Sequence, residues 1–336
     1  AGDSVRRVRG CGRRLAGLLT DPGRLAGARK RADQTLAALE RHRISLVCRD
    51  DPAYPALLRP IDDPPVVLYF RGDLASLAAP PVAVIGSRAA TSYGRRCSFT
   101  LARDLARQGI TVVSGLAHGI DAAAHQGALE GGGATVGVLG CGIDVVYPRD
   151  HEALYRQVTA AGAIISEYPP GTRPEGFRFP ARNRIIAGLA RGVVVVEATQ
   201  RSGSLITARL ALDQGREIFA VPGRIDSSRS AGPHRLLQQG AHLVCSAGDI
   251  VLELGLSAPG QRQRPPEADP GAPPGGLGEE ELRLLSFLEV YPRDIDSIIR
   301  MTGFAAHRVH ELLLGLEMAG LVRQLPGQQY ERLRED

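Results

Sequence analysis

Six short apolar runs recur between residues 82 and 221: VAVI (82–85), ITVV (110–113), ATVGVL (134–139), AII (163–165), VVVVE (193–197) and EIFAV (217–221). Each is separated from the next by a segment long enough for a helix. Runs this rich in Val and Ile, with little alternation, suit strands buried on both faces. Parallel neighbours need a crossover connection, and helix-length spacers supply it. The fold class expected is therefore α/β, a doubly wound and mostly parallel sheet covered by helices.

The flanking segments read differently. Over 5–42, arginine alternates with Leu and Ala at helical spacing, which predicts a small helical module within residues 1–50. Inside it, VRGCGRRLA (8–16) has the outline of a helix–hairpin–helix phosphate turn, and a plain helical scaffold fits the same residues. The stretch 52–73 is a proline-rich connector ending in one strand, VVLYF, so the sheet domain is placed at 51–254. Residues 255–278 form a Pro/Gly linker that cannot build a core. After it, 279–336 read as three helices and a strand pair, the outline of a winged helix. Its third helix, 305–319, presents His307, Arg308 and His310 beside Glu311 and Glu317. Duplex contact and protein contact both fit that face.

Composition removes several chemistries. Lys30 is the single lysine, so no Walker A loop exists, and a Schiff base has no candidate except Lys30 itself. Cysteines 11, 48, 97, 141 and 245 form no CxxC pair, which fits a reducing cytoplasm with no disulfide framework and no zinc cluster. No run reaches membrane-span length and no signal peptide is visible. The net charge of +5 and a pI near 9.1 are compatible with a nucleic-acid partner.

In an open parallel sheet, ligands meet the carboxyl ends of the strands. Those ends read GSRAATS (86–92), SGLAHGID (114–121), GCGID (140–144), EYPPGTRPEGFRFPARNR (167–184) and EATQRSGS (197–204). Glycine lets backbone amides approach an anion, and serine adds donors. Together with Arg88, Arg178, Arg182, Arg184 and Arg201, these loops predict an anion-binding rim. A dinucleotide is excluded, because the first strand lacks GxGxxG and the second lacks a terminal acid. His118, Asp121 and His125 lie near one face of a helix, but their spacing matches no metal motif, and no metal is expected. Ser202 and Ser204 lack a nucleophile elbow. No catalytic residue and no cofactor are expected.

The segment FRFPARNR interleaves Phe177 and Phe179 with three arginines and no acid. Arginine holds phosphate, while Phe can stack an unpaired base with little sequence preference. A duplex keeps base faces inside, so the combination favours single-stranded nucleic acid.

Taken together, DPPVVLYFRGDL, VAVIGSRAATSYG, VSGLAHGIDAAAHQGAL, VGVLGCGIDVVYPRDH and the block PARNRIIAGL…RSGSLITA closely resemble the DNA-processing protein A (DprA, or Smf) family over about 60–250. The resemblance implies an extended Rossmann domain, and a cytoplasmic homodimer acting in natural transformation and DNA recombination. Such a protein would bind and shield single-stranded DNA, promote loading of the RecA recombinase, work alongside single-strand-binding protein, and catalyse nothing. Carried onto this chain, the DNA pocket comprises Gly86, Ser87, Arg88, Ser114, Gly115, Arg178, Phe179, Arg182, Asn183, Arg184, Arg201, Ser202, Gly203 and Ser204. The dimer region maps to HRLLQQGAHLV (234–244), with Leu236, Leu237 and Leu243 as contacts. Either Arg173 or Arg178 stands where many relatives have lysine. The competing enzymatic reading, a phosphoribohydrolase-like nucleotide enzyme, requires PGGxGTxxE, whereas EATQRSGSLITA has no acid after its glycines.

Overall fold

Segments buried on both faces alternate with helices to build a nine-stranded sheet in the first of two units, which divide near residue 261. The computed structural model describes residues 21–256, 278–288 and 292–333. The glycine pair at 8–16 and nearly all of the 255–278 linker lie outside the described residues. The first described helix, α1 (Pro22–His42), starts at Asp21, whose carboxylate accepts from the Arg24 N–H. Pro22 occupies the first turn, where a missing N–H costs nothing.

The strands follow as β1 (Ser45–Cys48), β2 (Val67–Gly72), β3 (Pro81–Ile85), β4 (Thr111–Ser114), β5 (Thr135–Leu139), β6 (Ala163–Ser166), β7 (Gly192–Val195), β8 (Glu217–Ala220) and β9 (His242–Leu243). Their spatial order is β1-β2-β6-β5-β4-β3-β7-β8-β9. Pairing is parallel from β6 through to β9, and antiparallel where β2 meets β6 and where β1 meets β2. Leu46 pairs with Tyr69 and Val47 with Leu68, so the sheet starts before residue 51, where the proline-rich connector had suggested a boundary.

Seven helices of this unit follow the strands: α2 (Ser92–Arg107), α3 (Ile120–Glu130), α4 (Glu152–Ala161), α5 (Arg178–Leu189), α6 (Gly203–Asp213), α7 (Ala231–Gln238) and α8 (Ala247–Glu253). Along β3, Val82 and Val84 join one core with Leu101, Leu105, Ile120 and Ile250. Ala83 and Ile85 join the opposite core with Ile185, Ile186, Leu189, Ala208 and Ala211. The period of two sends alternate side chains to opposite faces, so both faces need a helical cover. Helices α2, α3 and α8 supply one, and α5 and α6 the other. The direction of winding reverses between β3 and β7, the crevice where open α/β sheets bind ligands.

The second unit packs α9 (Glu279–Phe287), α10 (Ile295–Thr302) and α11 (Ala306–Met318) around Leu284, Ile298, Leu313 and Leu316. A three-stranded sheet of β10 (Arg293–Asp294), β11 (Val322–Leu325) and β12 (Gln329–Arg332) completes the winged helix. Arg308 is bound to Glu280 at 2.6 Å and to Glu311 at 2.6 Å, so the cation expected on the third helix is neutralised within the unit. Among the described residues, no helix is long and apolar enough to cross a membrane.

Candidate nucleic-acid interface

The two loops at the winding reversal are tied to each other. The Ser87 N–H donates to the Glu197 carbonyl at 2.7 Å. The Glu197 carboxylate accepts from the Thr91 N–H at 2.9 Å and from its hydroxyl at 2.5 Å. Thr91 in turn caps α2 through Gly94. A Cβ on Gly94 would stand 2.4 Å from the Glu197 carboxyl carbon, and one on Gly86 2.6 Å from Ile120. These glycines serve close packing, and the Ser87 amide is consumed inside the protein. The Ser114 hydroxyl is also internal: it is buried and donates to the Val84 carbonyl at 2.7 Å. Its expected place on the rim is corrected accordingly, because a buried hydroxyl must find a partner and the neighbouring strand offers one.

FRFPARNR, expected as a loop, is helical from Arg178 onward. Pro180 lies in the first turn of α5, where proline is tolerated. One turn further, Arg182 is 4% exposed. Its Nη1 donates to the Gly115 carbonyl at 2.9 Å and to the Val138 carbonyl, and its Nε to Asn183 Oδ1 at 3.3 Å. The Asp121 carboxylate is buried beside it. Burial pushes that carboxyl up, while Arg182 and the N–H groups of Ala117 and Gly115 pull it back toward the ionised form. A Cβ on Gly115 would lie 2.7 Å from both Arg182 Nη2 and Asp121 Oδ2, so glycine makes room for the pair. His125 points elsewhere, with its Nδ1 2.7 Å from the Thr135 hydroxyl, and does not meet His118 and Asp121 as a ligand set.

Above Arg182 opens a cleft lined by Arg88, Gly115, His118, Gly140, Tyr147 and Phe179, among others. The exposed Arg88 places its guanidinium 5.0 Å from the Phe179 ring centre. The Tyr147 ring lies 5.4 Å from the same ring, tilted by 32°. A Cβ on Gly140 would stand 2.9 Å from Phe179 Cδ1, so the glycine seats the ring. Tyr147 was missed from sequence: it falls three residues beyond the GCGID loop that was read as the end of β5.

Arg178 sits beside this cleft between two further rings, 4.9 Å from Tyr168 and 5.0 Å from Phe177, with Glu175 at 3.2 Å. Phe177 itself is 69% exposed. Arg184 is held by two carboxylates: Glu167 takes both its terminal nitrogens, at 2.5 and 3.0 Å, and Asp63 takes Nε at 3.0 Å. Its predicted phosphate contact is corrected, since two carboxylates already occupy the guanidinium. The Asn183 amide reaches the Gly203 carbonyl at 3.4 Å, linking α5 to the start of α6. There Ser202 and Ser204 share a hydroxyl contact of 2.6 Å, and Arg201 is exposed.

The residues expected at a dimer contact split in two. Leu236 is 8% exposed and packs into the core beneath α7, which removes it from any surface. Leu243, on the edge strand β9, is exposed, and Leu237 is half-buried.

The family model for DNA recombination-mediator protein A matches residues 45–255, and that of the DprA winged helix domain matches 265–328. The chain belongs to the DNA recombination-mediator protein A family. Protein Smf of Escherichia coli is 41% identical over 317 residues, which cover 92% of this chain and 83% of that protein. DNA processing protein DprA of Streptococcus pneumoniae is 48% identical over 203 residues, 60% of this chain and 72% of that one. A solved structure of the pneumococcal protein aligns with a TM-score of 0.66 at 41% identity, covering 75% of this chain and 86% of that one. DNA processing protein A from Helicobacter pylori, whose structure describes a single-stranded DNA binding mode, aligns at 0.58 with 32% identity, over 63% of this chain and 96% of that one. Helices on both faces of the mostly parallel sheet, and the winged helix after it, are the architecture expected for the family.

Proposed function

We propose that the chain binds single-stranded DNA along the carboxyl edge of β3, β4, β5 and β7, without strong sequence preference. The observation that carries this reading is the Arg88–Phe179–Tyr147 stack over the cleft, a cation and two aromatic faces side by side. Arg88 covers the Phe179 ring in the free protein. A base that stacks on Phe179 displaces the guanidinium, which then takes the adjoining phosphate. Aromatic stacking is sequence-tolerant because every base has a π-face. Arg178, Arg201 and the Ser202–Ser204 turn extend the track on either side, and Phe177 offers a second platform. Arg182 supports the floor of the cleft from beneath.

The same reading makes the protein a binder and recombination mediator with no chemical step. It would act as a homodimer through the β9 edge with Leu237 and Leu243, load RecA onto the bound strand, and share that strand with single-strand-binding protein. Two features support it: the family to which the chain belongs, and the single-stranded DNA binding described for the Helicobacter relative.

Titration of labelled oligo-dT across a salt series tests the site. Wild type should lose affinity steeply with salt, and Arg88→Ala should flatten the log–log slope by about 0.7. Identical curves for wild type and an Arg88→Ala/Phe179→Ala variant would sink the assignment.

A further inference from the structure

His118, Asp150 and His151 come together although 32 positions separate the first from the second, and no sequence spacing announced them. His118 lies in the loop after β4, and the other two in the short turn Arg149–His151 that precedes α4. One ligand atom from each lies within 4.8 Å of the others. The His118 and His151 rings meet edge-on at 4.7 Å, and His118 Nδ1 is 3.7 Å from Asp150 Oδ2. His151 Nδ1 is 3.0 Å from the Leu116 carbonyl. A carbonyl only accepts, so Nδ1 carries the proton and Nε2 presents its lone pair. Metal-binding imidazoles are oriented in this way, the second nitrogen tied to a carbonyl or carboxylate. Leu116 holds φ at +55°, a conformation that a buried leucine adopts only when its surroundings demand it.

We propose that these three residues bind one divalent transition-metal ion of the zinc class. Two imidazoles and one carboxylate suit Zn2+ or Co2+, whereas Mg2+ and Ca2+ want oxygen donors. Ligand atoms about 2.1 Å from an ion lie roughly 3.4 Å apart in a tetrahedron, so the widest separation, up to 4.8 Å, must close by as much as about 1.4 Å. His118 and Asp150 are exposed enough to turn that far. Three protein ligands leave the ion an open position. His118 also lines the Arg88–Phe179 cleft, so a phosphate oxygen of a bound strand is within the chemistry of that position. This last step rests on the nucleic-acid reading; the metal site does not.

Zinc binding by the full chain, with reduced cysteines and no DNA present, is therefore measured first. Wild type should take up one equivalent of Zn2+ that His118→Ala/His151→Ala lacks, and Asp150→Asn should weaken it at least tenfold. Co2+ should give the intense visible absorption of a four-coordinate site in wild type alone. Equal zinc stoichiometry and affinity in wild type and the double variant would overturn the site, because the cysteines would then account for the binding. Oligo-dT affinity with and without Zn2+ is measured second. A zinc-dependent gain in wild type that the double variant lacks supports the phosphate contact. Equal affinities at saturating zinc overturn that contact while the zinc titration still stands.

Discussion

The guanidinium of Arg182 donates to the carbonyl of Gly115 at 2.9 Å, joining α5, which crosses the winding reversal, to the end of β4. The same nitrogen reaches Val138 at the end of β5, and the Asp121 carboxyl is buried nearby, pushed up by burial and drawn back by the Arg182 charge. A buried cation with three kinds of partner is part of the frame that holds the cleft. Removing the guanidinium leaves the Gly115 and Val138 carbonyls without this donor and Asp121 buried without a neighbouring cation, a loss of about 3–5 kcal/mol. Arg182→Ala should therefore lower the unfolding free energy measured by urea denaturation by about 3–5 kcal/mol, with a matching fall in the midpoint. Arg88→Ala, an exposed change, should stay within about 0.5 kcal/mol of wild type. Equal midpoints for the two variants would contradict this division.

Arg184 and Arg88 carry the same charge and should behave oppositely in DNA titrations. Glu167 and Asp63 already hold Arg184, whose side chain is 14% exposed. Arg184→Ala should leave the salt slope of oligo-dT binding unchanged and cost about 1–3 kcal/mol of stability through the lost charged hydrogen bonds. Arg88→Ala should do the reverse. Fluorescence anisotropy across salt, paired with chemical denaturation, separates the two effects.

His125 should make the first unit acid-sensitive. Burial against Thr135, with the Arg182 guanidinium adding positive charge nearby, pushes its imidazole down to about 3 from 6.5. The unfolded chain therefore binds one more proton than the folded one between those values. The contribution is complete above pH 6.5 and is lost as pH falls toward 3, at up to about 1.4 kcal/mol per pH unit. From pH 7.5 to 5 the loss should approach about 2 kcal/mol. His125→Asn should be less stable at neutral pH and should lack this component of the slope. Parallel stability–pH profiles for the two proteins would refute the assignment.

Leu236 and Leu243 lie seven residues apart and should report on different things. Leu243→Glu, on the exposed edge strand, should shift the protein toward monomer in sedimentation with little change in its melting temperature. Leu236→Ala removes core volume and should cost about 2–4 kcal/mol while leaving self-association of the folded protein intact. A dimer that survives Leu243→Glu would move the interface away from β9.

Most of the sheet was legible because its signal is local. Each of the six apolar runs became a strand, within two residues of where Val and Ile cluster. The strands missed, SLVC and HL, are short edge segments whose burial is partial, so their composition carries little pattern. FRFPARNR was misread as a loop because arginine, proline and phenylalanine give no clean helical stripe. The helix is held by contacts on both sides, with Arg182 and Asn183 buried along with the apolar residues.

Charge and residue type marked the carboxyl edge as the place where an anion would sit, and interleaved arginine and phenylalanine pointed to a single strand. Those inferences needed only chemistry and order along the chain. Which arginine is available was a different question. Arg88, Arg178, Arg182 and Arg184 look alike in one dimension, and partners 17 to 121 positions away separate them: Gly115 and Val138 claim Arg182, while Glu167 and Asp63 claim Arg184. The convergence of His118 with Asp150 and His151 is of the same kind. Side-chain identity is written residue by residue, but whether a charge is spent inside the protein or presented to a ligand depends on which distant groups the packed sheet brings within 3–4 Å of it.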